Sequence, residues 1–295
     1  MRSKLMAMAA AGALSLCSSS PSFAGSVTQP GELVGLAIGA PLPPGFYFVN
    51  TADWGCRDTD PNNTCSGVTI PVIAWSTPWT ILGGRLQFIA ATPALESGVV
   101  DGGPYNASWY NPAFFGQLAW DLGGGWGVSY RFGAYFDVHD SLAWSDTSLN
   151  HAIGVSYTAN GWNLTAAVVY MNHADHFTDR PQISACPAPF PANGCNPDAL
   201  NLDLTATKKF GKWEFGPVAY ASWDLNHPSP QYQLQRQWNV GGLVGYDFGP
   251  VTLQTYLTTG VSQDNFGGED TRLWTRVIVP LGNPFPTPAA PMRKY

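Results

Sequence analysis

The chain has 295 residues of which only 12% are charged, against roughly 25% in an ordinary soluble domain, and its 14 Lys+Arg against 20 Asp+Glu leave a net charge of −6. That balance excludes a nucleic-acid binder, which needs a basic patch, and the 13% of aromatic residues excludes a disordered chain. No stretch beyond the N-terminus holds about 18 uninterrupted apolar residues, which excludes membrane-spanning helices and leaves an all-β chain rich in turns.

Arg2 and Lys4 precede an apolar run from Leu5 to Cys17, and Pro21 precedes the small-x-small sequence Ser22-Phe23-Ala24. This pattern predicts a signal peptide over 1–24, Sec-type export and cleavage near Ala24. Leu16 is too large a neighbour for lipid modification of Cys17. Residues 25–44 are expected to form an N-terminal periplasmic segment. Cys56, Cys65, Cys186 and Cys195 remain after cleavage, each neighbouring pair nine residues apart in a polar stretch. In an oxidising compartment the spacing predicts local bridges Cys56–Cys65 and Cys186–Cys195, one of three possible connectivities. The tighter CxxC spacing of a metal site is absent.

From residue 45 the chain reads as strands. Trp126, Val128, Tyr130, Phe132, Ala134, Phe136 and Val138 alternate with Gly127, Ser129, Arg131, Gly133, Tyr135 and Asp137. This is a period-2 run longer than the usual soluble strand. Leu200 to Thr207, Trp213 to Asp224 and Val251 to Ser262 alternate in the same way. Twelve segments are predicted: 45–53, 67–75, 79–92, 112–121, 126–138, 149–159, 161–172, 199–209, 212–224, 234–248, 250–262 and 270–281. Pro71 interrupts the second. Short connections, among them 76–78, 122–125, Asn160, 210–211 and Gly249, alternate with long ones at 54–66, 93–111, 139–148, 173–198, 225–233 and 263–269. Uncharged apolar faces carry aromatic residues near their ends, as in Trp213 and Trp223. Both features predict a transmembrane antiparallel up-and-down β-barrel of about 12 strands over 45–281, with both termini periplasmic and aromatic girdles at the two interfaces. A Pro-rich tail follows over 282–295, and both bridges are expected in outer loops.

The stretches Pro44 to Phe48, Trp75 to Leu86 (WSTPWTILGGRL) and Asn111 to Tyr130 (NPAFFGQLAWDLGGGWGVSY) carry a resemblance. So do Asn201 to Pro217 (NLDLTATKKFGKWEFGP), Gly241 to Gln254 (GGLVGYDFGPVTLQ) and Asp270 to Leu281 (DTRLWTRVIVPL). Over nearly the whole mature chain the sequence resembles the proteobacterial outer-membrane family described as "putative MetA-pathway of phenol degradation". The resemblance implies an outer-membrane barrel of transporter type, associated with breakdown of phenolic or other hydrophobic compounds. It supplies no catalytic or substrate-binding residues. The chain departs from many outer-membrane barrels in closing its last strand at Leu281, with Tyr295 at the end of the tail.

On the polar strand faces, Arg85, Gln117, Arg131, Asp203 and Arg276 are expected near mid-height of the lumen, with Arg272 on the same face as Arg276. Three Arg against one Asp predict a positive waist that favours anions, and Tyr135, Tyr220 and Tyr256 are inward candidates for flat aromatic solutes. The competing structural role is that such Arg and Asp residues pair to brace the lumen. The expected function is passive uptake of small hydrophobic or aromatic, including anionic, compounds. The alternative is a structural or adhesive barrel without transport. No cofactor, metal or enzymatic activity is expected. His173 and His176 stand three positions apart, which on a strand reverses the face. Asp58-x-Asp60-x-Asn62 lacks the Gly and Glu of a calcium loop. A lipase would need a Ser–His pair held by a third group, and His151 and Ser156 fall on opposite faces of one strand. The expected partners are outer-membrane lipid and lipopolysaccharide, the barrel insertion machinery and small solutes, with no nucleic acid.

Overall fold

The computed structural model describes residues 26–59, 63–99, 105–138, 147–173, 197–228 and 232–285. Its strands are β1 (Gly45–Arg57), β2 (Thr64–Ile81), β3 (Gly84–Ala91), β4 (Ala94–Val99), β5 (Tyr105–Trp109), β6 (Ala113–Gly123) and β7 (Trp126–Tyr135). The remainder are β8 (Ser148–Tyr157), β9 (Trp162–His173), β10 (Ala199–Phe210), β11 (Trp213–Asp224), β12 (Arg236–Asp247), β13 (Thr252–Asp264) and β14 (Asp270–Gly282). Every neighbouring pair is antiparallel, and β1 pairs with both β2 and β14, so the sheet closes on itself. Closure pairs both edges of every strand except the short β5, which pairs with β4, and paired edges are what a wall facing hydrocarbon requires. No helix is long and apolar enough to cross a membrane among the described residues.

The wall counts as 12 strands because two traverses are each broken once. β3 and β4 both pair with β2 and are separated by Thr92-Pro93; β5 and β6 pair with β4 and β3 and are separated by residues 110–112. Proline has no N–H to give a ladder, and Pro71, Pro93 and Pro112 stand on adjacent traverses. Each still accepts through its carbonyl: Thr92 N donates to Pro71 O at 3.1 Å, Tyr110 N to Pro93 O at 2.8 Å and Phe136 N to Pro112 O at 2.8 Å. The predicted long connection 93–111 therefore contains β4 and β5. The predicted turn at 76–78 lies inside β2, where a register irregularity between Ser76 and Thr80 absorbs Pro78. The chain turns instead at Leu82 and Gly83, both with positive φ.

The two faces of the wall differ as the alternation predicts. Tyr130, Phe132, Phe215, Val244, Leu257 and Leu273 are exposed on the outside. Their neighbours Arg131, Ser129, Gln254, Tyr256, Thr258 and Arg272 are buried on the inside. Cys56 and Cys65 are opposite each other in the β1–β2 register and form a disulfide. The bridge thus clamps the ends of two paired strands, not a free loop. Cys186–Cys195 lies outside the described residues.

The segment 25–44, expected outside the barrel, is a correction: its described part from Ser26 onward runs inside the lumen before entering β1. It is a string of tight turns, with Glu32 N bonded to Gln29 O, Val34 N to Gly31 O, Leu36 N to Leu33 O and Ala40 N to Ala37 O. The molecule's apolar core is consequently inside the barrel. Val27 and Leu33 pack with Ile70, Phe115, Tyr135 and Met171, while Val34 packs with Tyr220, Leu243, Tyr256 and Trp274.

Candidate functional site: the plugged lumen

The plug is held mainly by one side of the wall, with two further bonds from Gln117 on β6 to Ile38 O and from Ser76 on β2 to Leu42 O. The Asp203 carboxylate on β10 accepts from the backbone N–H of Gly31 at 2.9 Å and of Leu33 at 2.8 Å, and Thr205 Oγ1 accepts from Gly35 N at 2.7 Å. On β8, Ser156 Oγ accepts from Gly39 N at 2.9 Å. Arg276 on β14 donates to the carbonyls of Val34 and Glu32, Tyr256 donates to Gly31 O at 3.0 Å, and Gln254 and Asn163 donate to Gly35 O. Buried main-chain groups of an irregular segment need such partners, and polar inward side chains supply them here.

Glycines let the segment approach this closely. A Cβ at Gly31 would stand 2.8 Å from the Tyr220 ring, and one at Gly35 2.8 Å from Leu243 Cδ1; both residues also have positive φ. A Cβ at Gly39 would fall 2.5 Å from the backbone nitrogen of Ser156 and 2.8 Å from Gly127 O.

Because the plug leans mainly on β8–β10 and β13–β14, it leaves a space whose apolar wall comes mostly from β1–β3. A cavity of about 480 Å³ runs there, within the range that holds small-molecule ligands. It is walled by Val49, Ile70, Val72, Ala74, Ile89 and Ile278 from the barrel and by Leu36 and Ile38 from the plug. Thr158, Trp162 and Lys209 border it at the short-turn end. Polar groups also line it: Gln87 and Gln117, bonded to each other at 2.9 Å, Glu32 and Arg131, and toward the plug's anchoring side Asn163, Gln254 and Glu214, which are bonded to protein groups.

The predicted lumen residues fall into distinct places. Arg276, Tyr256 and Asp203 bind the plug, as above. Tyr220 packs edge-on to Trp274 beneath Gly31, and Tyr135 accepts from Thr28 of the plug at 3.3 Å while meeting Phe115 edge-on. Arg272 stands nearer the long-loop end, paired with Asp53 and, at 2.9 Å, with Asp270. Arg85 is next to the 82–83 turn rather than at mid-height, its Nη1 donating to Thr77 O at 3.1 Å. Gln117 and Arg131 face the cavity. Of the motifs set aside in the sequence, His173 is buried with its Nδ1 3.0 Å from Ser148 Oγ. His176, Asp60 and Asn62 lie outside the described residues, and no metal-holding cluster occurs among the described residues.

Glu32 and the plug itself escaped the sequence reading. The signal that could have found them is Gly31, Gly35 and Gly39, four apart in an apolar run whose one charge is Glu32.

A family model described as "Putative MetA-pathway of phenol degradation" matches residues 45–277. Among solved structures, an outer membrane channel from Pseudomonas putida F1 is similar with a TM-score of 0.59 at 12% identity, covering 82% of this chain and 97% of that one. The β domain of the Bordetella autotransporter BrkA gives 0.49 at 13% identity (81% and 100% covered). The NanC porin gives 0.47 at 10% identity (79% and 98% covered). The first of these likenesses shows the barrel fold. No curated protein matches the chain by sequence.

Proposed function

The chain belongs to the family described as "Putative MetA-pathway of phenol degradation", and from that membership, with the aliphatic passage beside the plug, we propose that it is an outer-membrane channel for passive uptake of small hydrophobic or aromatic compounds. The observation that carries the proposal is the asymmetric seating of the plug. Most of its hydrogen bonds go to β7–β10 and β13–β14, with Gln117 on β6 and Ser76 on β2 reaching only Ile38 O and Leu42 O, and the space it leaves is walled by Val49, Ile70, Val72, Ile89 and Ile278. A hydrated pore is walled by polar groups; a wall of aliphatic side chains stabilises solutes with an apolar body.

On this reading the mature chain, cut near Ala24, is placed by the barrel insertion machinery among outer-membrane lipid and lipopolysaccharide. Its role is not enzymatic. Liposome swelling tests the proposal: proteoliposomes should swell faster in a small aromatic solute than in a sugar of similar size. Lipid hydrolysis would indicate an enzyme. Swelling no faster than that of protein-free liposomes would leave a structural or adhesive barrel, a reading that a filled lumen also fits.

A further inference from the structure

Of the charged residues lining the cavity, Glu214 is bonded by Thr207 and Gln254 and Lys209 is exposed at the short-turn end, while Arg131 from the wall and Glu32 from the plug face it without a salt bridge. Arg131 is 6% exposed and its Nε has no partner. The guanidinium's hydrogen bonding among the described residues is one long bond from Nη2 to Asn150 Oδ1 at 3.4 Å, and the Phe115 ring lies 4.6 Å from its Cζ. A guanidinium carries five N–H donors, so most of this one's capacity is unused. The Glu32 main chain is fixed by Arg276, and its side chain borders the same cavity. Among the described residues its carboxylate accepts no hydrogen bond and forms no ion pair. By contrast Asp203, Arg272 and Arg276 are all engaged by protein groups.

Buried polar groups are normally satisfied by protein groups or by bound molecules, water included, and Arg131 and Glu32 leave that capacity open to whatever fills the cavity. The two charges cancel, so a carboxylate ligand drawn to Arg131 meets Glu32, and an ammonium drawn to Glu32 meets Arg131. A hydroxyl satisfies both. Its oxygen accepts from the guanidinium, its hydrogen is donated to the carboxylate, and both bonds are charge-assisted.

We propose that the cavity takes molecules with an apolar body and a single hydroxyl head, the hydroxyl bridging Arg131 and Glu32 while Val49, Val72, Ile89 and Ile278 enclose the body. This rests on the uptake reading above and replaces a positive waist with a neutral, two-sided anchor. Alcohols and phenols share the required chemistry.

The test is equilibrium dialysis of the full mature chain in lipid nanodiscs, with protein-free nanodiscs subtracting partition into lipid. The probes are 1-naphthol, naphthalene and 1-naphthoate, and 1-decanol, decane and decanoate. At least one hydroxyl probe should bind tenfold or more tighter than the hydrocarbon and the carboxylate of the same skeleton. Preference for 1-naphthol alone assigns phenols, for 1-decanol alone aliphatic alcohols, and either supports the proposal. In Glu32→Gln and Arg131→Met the ratio of hydroxyl to hydrocarbon affinity should fall to near one, with Arg131→Lys restoring part of it. Should Arg131→Met fail to fold, Glu32→Gln, which alters the plug and no strand, carries the test. A carboxylate binding tightest, a hydrocarbon binding as well as its hydroxyl partner, or a ratio unmoved by Glu32→Gln overturns the anchor and leaves uptake standing. Absence of binding by every probe, together with no solute-driven swelling, overturns the uptake reading itself.

Discussion

Replacing Asp203 by alanine should loosen the plug from the wall. The carboxylate accepts two main-chain bonds, from Gly31 at 2.9 Å and Leu33 at 2.8 Å, and a hydrogen bond to a charged group contributes about 1.5–3 kcal/mol net. Losing both therefore costs about 3–6 kcal/mol of seating energy, or roughly 10²- to 10⁴-fold in the opening equilibrium. The N–H groups left behind are buried, which keeps the loss from being recovered in the seated state. Asp203→Asn retains one carbonyl acceptor and should show about half the loss on a logarithmic scale. Hydrogen–deuterium exchange over the 26–44 peptide reads the opening free energy directly, and planar-bilayer conductance reads its consequence for the lumen. Exchange should accelerate across Gly31 to Gly35 and conductance should rise, while the barrel keeps its heat-modifiable gel mobility. Unchanged exchange at Gly31 and Leu33 in Asp203→Ala would refute the reasoning and assign the seating to the packing of Leu33 and Val34.

Arg272→Met should leave Asp53 buried without its cation and Asp270 with only the 3.9 Å pair to Arg57 and cost about 3–5 kcal/mol, seen as a lower temperature at which the folded gel form converts to the unfolded one. Gly39→Val has no room beside the Ser156 nitrogen and Gly127 oxygen and should raise conductance. Gly242→Ala, with nothing within 4 Å of the added Cβ, should leave both conductance and thermal stability as they are. Non-reducing peptide mapping should recover a Cys56–Cys65 crosslink, and reduction should lower stability by at most about 2.5 kcal/mol, the chain-entropy figure for so short a loop; no shift on reduction would mean that the paired strands already hold the hairpin. Glu32, on the plug and outside the spanning strands, is pushed up to about 7 by burial, with Arg131 and Arg276 opposing the rise and Asp203 and Asp53 adding to it. An ionised carboxylate is the better acceptor, so the preference for 1-naphthol over naphthalene should be full near pH 8 and weaken as pH falls through about 7, the direction set by a raised carboxyl pKa. Glu32→Gln should flatten that profile, and a preference that grows on acidification would contradict it.

The barrel was legible because a strand in such a wall has to alternate, and alternation is written in side chains. The segment predicted over 199–209 is β10 (Ala199–Phe210), and that predicted over 212–224 is β11 (Trp213–Asp224). The register of long and short connections held through the same region. It failed at 93–111, where proline breaks gave two short strands the composition of a loop. The plug was illegible for a different reason. Its seating bonds use the N–H of Gly31, Leu33 and Gly35 and the carbonyls of Glu32, Val34 and Gly35, groups that every residue except proline possesses in the same form. Half of each contact was therefore visible: Asp203, Tyr256 and Arg276 stood out as polar residues on strands, and nothing in the sequence named what they hold. Arg131 was singled out with them, but its counterpart Glu32 lies in a stretch without the alternation of a strand, marked only by the spacing of Gly31, Gly35 and Gly39.

The position of the plug also sets an order of events in assembly. Val34 and Glu32 are bound by Arg276, 242 and 244 residues later in the chain, and Arg276 sits on β14, the strand that pairs with β1 to close the sheet. The stretch leading into the first strand thus completes its set of partners, begun by Ser156, Asp203 and Thr205, only when the last strand arrives. A wall that closed around an empty lumen would trap Arg276 and Asp203 without the main-chain groups that satisfy them, so the plug serves as a mandrel around which the final seam is made. Contacts of such span are slow to form, and one strand completes both the seating of the plug and the sealing of the barrel.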